Sequence, residues 1–76
     1  MTKDDFYFKI QVKQTMEFKY NSILYNINYD KTSDGKEIIL FGRLYEEQKF
    51  HSYGDLMNNA KVENHFLKDM LEILDL

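Results

Sequence analysis

The chain has 76 residues, is 43% apolar, 16% aromatic and 30% charged, and carries a net charge of −3. At that length about 60% of the unfolded surface can be buried, which allows one thin core in a single domain over residues 1–76 and little room for an enclosed catalytic cavity. Six Tyr and six Phe argue against disorder, the absence of Cys excludes a disulfide framework and a thiolate metal site, and no stretch approaches the ~20 apolar residues of a membrane span.

Met1-Thr2-Lys3-Asp4-Asp5 is charged and no apolar run follows it, so no signal peptide is expected, and the lack of Cys in so small a domain points to the cytoplasm. Residues 6–12 alternate, with Phe6, Phe8, Ile10 and Val12 on one face, which predicts a first strand. The same phase continues through Met16, Phe18 and Tyr20. Residues 6–20 read either as two strands with a break near Gln14 or as one long strand bent by a bulge. The break is preferred, because strands usually run about 3–10 residues.

Met16 to Tyr29 reads as a hairpin, with strands at 16–20 and 23–29 around an Asn21-Ser22 turn. A two-residue turn sets Tyr20 against Ile23, Phe18 against Tyr25 and Met16 against Ile27, each pair contributing roughly 0.2–1 kcal/mol. Asp34-Gly35 is a strong turn signal before a strand at 36–41. With the turn centred there, Ile38 and Leu40 join Ile27 and Tyr29, while Leu24, Ile39 and Phe41 form a second apolar face. Gly42 marks a bulge or strand end, and residues 44–50 suggest a further short hairpin. Ser52 and Asp55 resemble a capping box for a helix at 53–60. Asn64 is a plausible cap for a second helix at 65–74, with Phe66, Leu67, Met70, Leu71 and Leu74 as its apolar stripe and Lys68, Asp69, Glu72 and Asp75 elsewhere.

The expected fold is therefore α+β: an antiparallel β-meander of three to four strands followed by two short C-terminal helices packed on one face. The run Phe50-x-Ser52-Tyr53-x-Asp55-Leu56-x-x-x-Ala60-Lys61-Val62, then Leu67, resembles the ending of short uncharacterised bacterial proteins, a domain of unknown function in which an aromatic hairpin precedes two short helices. The resemblance covers roughly residues 16–71. Many such chains carry Gly in the helix–helix turn, where this one has Glu63-Asn64. It implies a cap and core positions, and no active residue. The abundance of Lys, Asn, Ile and Tyr is also that of an AT-rich bacterial genome.

No motif specifies a reaction, and neither a cofactor nor a metal is expected. His65 and Asp69 stand one turn apart with Glu63 nearby, and His51 precedes a cap, but the spacing supplies at most part of a metal site. Asp30 to Gly35 is too short for a calcium loop and lacks its final Glu. Residues 1–45 carry seven Lys/Arg against six Asp/Glu, and residues 46–76 three Lys against seven Asp/Glu. Arg43 is the single arginine. That balance argues against nucleic acid and anionic membrane, since phosphate recognition rests on clustered cations. An alternative nucleic-acid face would use Tyr7, Lys9, Lys13 and Lys19, with the tyrosine stacking on bases. The favoured expectation is a non-catalytic protein-interaction or accessory module, self-associating or binding a protein partner through Leu24, Ile39 and Phe41, because large apolar patches are rarely left open on monomers. A small enzyme or metal-binding protein, the third option, would show a deep pocket holding His51 or His65 beside carboxylates.

Overall fold

The computed structural model describes residues 1–74. Along the chain it has α1 (Lys3–Gln11), β1 (Met16–Tyr20), β2 (Ile23–Lys31), β3 (Glu37–Arg43), β4 (Gln48–Phe50), α2 (Tyr53–Asn59), β5 (Lys61–Val62), β6 (His65–Phe66) and a 3-10 turn at Leu67–Asp69. Strands β1 to β4 form an antiparallel sheet in sequence order, and β5 and β6 form a separate short hairpin. The α+β class and the antiparallel meander are as expected from sequence. The helices are not both C-terminal: one precedes the sheet and one follows it.

The segment expected as a first strand, 6–12, is helical. Thr2 caps it, its hydroxyl accepting from the Asp5 N–H at 3.1 Å, and Asp4 and Asp5 lie in the first turn, where negative charge complements the helix dipole. Phe6 and Ile10, one turn apart, enter the core, while Phe8 and Val12 stay 63% and 53% exposed. The expected break near Gln14 exists, but it separates a helix from a strand. Lys13 adopts a left-handed φ of 56°, with its N–H on the Ile10 carbonyl and the Gln14 N–H on the Lys9 carbonyl. These two bonds close a Schellman motif that ends the helix. The Tyr29 hydroxyl donates to the Gln14 carbonyl at 2.7 Å and ties this turn to the sheet. Burial pushes the Tyr29 phenol up to about 12.

The β1–β2 hairpin has the expected register, with Met16 opposite Ile27, Phe18 opposite Tyr25 and Tyr20 opposite Ile23. Asn21 and Ser22 both take positive φ, as a two-residue hairpin turn requires. The β2–β3 register differs from expectation by one residue. Lys31 pairs with Glu37, the Thr32 N–H bonds to the Lys36 carbonyl, and the Gly35 N–H bonds back to the Thr32 carbonyl. Three residues, Ser33, Asp34 and Gly35, thus make the loop, and a one-residue change exchanges the faces of the whole strand. Ile39 and Phe41 stand opposite Tyr29 and Ile27, on the core face.

That core face carries Met16, Phe18, Tyr25, Ile27, Ile39, Phe41 and Phe50, covered by Phe6 and Ile10 of α1, Leu56 and Met57 of α2, and Ala60, Val62, Leu67, Met70, Leu71 and Leu74. The expected helix at 65–74 is absent as such. Glu63 takes φ 57°, β6 folds back on β5, and the backbone goes on in tight i to i+3 bonds from Met70 N–H to Leu67 O and from Ile73 N–H to Met70 O. Of the expected apolar stripe, Leu67, Met70, Leu71 and Leu74 are buried all the same, while Phe66, in β6, stays exposed. Asp75 lies outside the described residues.

Candidate functional site

A cleft opens at one end of the layer between the sheet and its cover. It measures about 520 Å³ and is bounded by the β3–β4 turn on one side and the end of α2 with β5 on the other. Its position follows from three local features. Gly42, at φ 154°, lets the turn fold against β3: a Cβ there would stand 2.9 Å from the Glu46 carbonyl and 3.1 Å from the Glu47 Cα. The Glu46 N–H bonds to the Arg43 carbonyl at 2.8 Å, closing a β-turn whose third residue, Tyr45, has φ 71° and is 90% exposed. Arg43 lies opposite Tyr25, so both belong to the core face.

Tyr25 is the innermost polar residue of the cleft. Its ring stacks on Phe18 at 5.3 Å and on Phe41 at 6.1 Å. The side chain is 2% exposed, and its hydroxyl is buried with no hydrogen-bond partner among the described residues. On the opposite wall, Asn59 donates to the Asp55 carboxylate and carbonyl, Glu63 Oε2 accepts from Asn21 Nδ2 at 3.2 Å, and Lys61 Nζ lies 5.0 Å from the centre of the Phe66 ring. Arg43 and Glu46, which also border the cleft, enter no side-chain hydrogen bond or ion pair among the described residues.

The residues singled out from sequence are placed elsewhere. Leu24, Ile39 and Phe41 do not form a surface: Ile39 and Phe41 are buried in the core, and the half-buried Leu24 belongs to the other side of the sheet with Asn26, Ile38 and Leu40. The cause is the three-residue β2–β3 loop. Tyr7, Lys9, Lys13 and Lys19 likewise share no sheet face. Tyr7 and Lys9 are on α1, where Tyr7 packs edge-on against Tyr53 at 4.8 Å; Lys13 follows the helix and pairs with Glu37; Lys19 is on β1. The Lys13 ammonium beside Glu37 holds that carboxyl below its ordinary range.

His51 borders a smaller cleft of about 170 Å³ together with Glu37, Tyr29 and Tyr53, and His65 shares another of about 390 Å³ with Asp69. Both histidines are exposed, and no three His, Asp or Glu side chains converge on a metal-sized point among the described residues. The motif from Ser52 to Leu67 supplies a cap and core positions, with Lys61 exposed at the wall of the cleft. The Ser52 hydroxyl accepts from the Asp55 N–H, the Asp55 carboxylate accepts from the His51 N–H, and Leu56, Ala60, Val62 and Leu67 are wholly buried. The His51 N–H, followed by the Asn59 amide, keeps the Asp55 carboxyl below its ordinary value.

Sequence reasoning passed over Tyr25 as a site residue and gave Tyr45 no role. The available signal was the single arginine followed within four residues by a tyrosine and two glutamates in a turn without Asn or Gly. No described helix is long and apolar enough to cross a membrane. No family model, curated protein or solved structure matches the chain.

Proposed function

We propose that this protein is a small non-catalytic module that recognises a protein partner, a second copy included, through the β3–β4 turn. The observation that carries this reading is Tyr45. A bulky residue in the left-handed region costs about 1 kcal/mol relative to glycine, and strain of that kind concentrates at functional sites. Tyr45 gives the fold no packing in return, being 90% exposed. Leu44 beside it is exposed too, so the turn presents an aromatic and an aliphatic side chain together. Tyrosine is among the residues that dominate recognition surfaces.

The reading is tested with a photoreactive benzoylphenylalanine placed at position 45, compared with the same group at position 33 in the β2–β3 loop. A discrete adduct from position 45 alone is expected, and its mass, together with light scattering on the pure protein, distinguishes self-association from a different partner. Equal cross-linking from both positions, or none from position 45, would overturn it.

A further inference from the structure

The cleft behind that turn has a chemistry of its own. Its walls carry two cations, Arg43 and Lys61, and two carboxylates, Glu46 and Glu63. Lys61 is drawn to the face of Phe66, leaving the Arg43 guanidinium as the cation of the cleft with no partner among the described residues. Glu63 has one oxygen on Asn21, and Glu46 has no side-chain partner among the described residues. A simple anion entering the cleft would meet two carboxylates, and a simple cation would meet Arg43. A ligand bearing both charges satisfies both walls. Behind the charges lie the rings of Tyr25 and Phe41, with the Tyr25 hydroxyl, buried and without a hydrogen-bond partner among the described residues, a polar group that costs stability until something bonds to it. A volume of about 520 Å³ lies within the range of pockets that hold small organic ligands, and it exceeds the needs of a single free amino acid.

We propose that this cleft binds a short zwitterionic peptide, its carboxylate on Arg43, its ammonium between Glu46 and Glu63, and an apolar side chain toward Tyr25 and Phe41. The guanidinium suits a carboxylate because its parallel N–H donors match the two oxygens. The site is distinct from the exposed ring of Tyr45, so either assignment can fail while the other stands.

Calorimetric titration of the full chain with the dipeptide L-leucyl-L-phenylalanine, its N-acetyl form and its C-terminal amide tests the assignment. Saturable binding is expected for the free dipeptide, with each blocked form about tenfold weaker, as loss of one charge-assisted hydrogen bond implies. Arg43→Gln should bring the free dipeptide down to the level of the amide while leaving the amide unchanged, and Tyr25→Phe should raise the melting temperature of the unliganded protein while weakening binding. No saturable heat up to about 20 mM, well above the millimolar range of weak ligands, would overturn the proposal. So would blocked forms that bind as well as the parent, a penalty on only one of the two blocked forms, or an Arg43→Gln penalty equal for dipeptide and amide.

Discussion

At one end of β3 the left-handed turn residue is Gly35; at the other it is Tyr45. The β2–β3 loop meets its backbone demand with the residue that meets it without strain, and a Cβ at Gly35 would find nothing within 4 Å among the described residues. Its remaining polar groups are used locally: the Thr32 hydroxyl bonds to the Asp34 carboxylate and accepts from the Lys36 N–H. The β3–β4 turn places a large aromatic residue where glycine would serve the fold better, and it borders the cleft with Arg43 and Glu46. One turn is shaped by folding alone. The other keeps a conflict between local preference and global fold, of the kind expected at functional or strained sites.

Four measurements would break or sharpen this contrast. The largest effect is expected at Gly42, which anchors the second turn. Gly42→Ala brings a methyl group against backbone atoms of Glu46 and Glu47, and urea unfolding should register a loss of about 2–3 kcal/mol. Gly35→Ala meets no atom of the described residues within 4 Å and suffers from its φ, so a loss of about 1 kcal/mol is expected by the same method. Tyr45→Gly should act in the opposite direction, gaining up to about 1 kcal/mol while abolishing cross-linking through a neighbouring photoreactive position. A destabilised Tyr45→Gly would show that the tyrosine serves the fold and would erase the distinction between the turns.

The smallest effect concerns pH. The Thr32 hydroxyl, assisted by backbone N–H groups, holds the Asp34 carboxyl below its ordinary value of 3.8. A group with a lowered folded-state pKa contributes stability that is present above 3.8 and lost as pH falls through the lower, folded value. The stability difference between the parent protein and Asp34→Asn, followed by thermal melts, should therefore shrink as the solution is acidified below pH ~4. A difference constant with pH would mean that the loop draws nothing from this ionised carboxylate.

Much of the sheet was legible because alternation and turn chemistry agreed, as in Met16 to Tyr29. The first helix was misread because Phe6, Phe8, Ile10 and Val12 fit two periods at once: all four on one strand face, or Phe6 and Ile10 inside a helix with Phe8 and Val12 outside. Thr2 and Asp5 carried the deciding signal, the same pattern that identified the second helix at Ser52 and Asp55. Side-chain burial in 67–74 was legible from spacing, but the element was not, because the left-handed Glu63 turns the chain back into a β5–β6 hairpin just before the stripe begins. The candidate cleft was hidden for a topological reason. It joins Tyr25, Arg43 and Glu63, residues far apart in sequence, and their meeting depends on a strand register set by a single loop residue.

The order of the strands has one more consequence. The central strands of the sheet are β2 and β3, and their apolar middles are flanked on both sides, β1 pairing with residues 23–27 and β4 with residues 39–41. The outermost strands are β1, which interleaves Glu17 and Lys19 with its apolar residues, and β4, only three residues long and carrying Lys49. Charged and very short border strands are poor templates for strand addition from another molecule. The folded chain thereby offers little template for growth into fibrils, because the paired apolar middles of β2 and β3 are uncovered when β1 or β4 peels away.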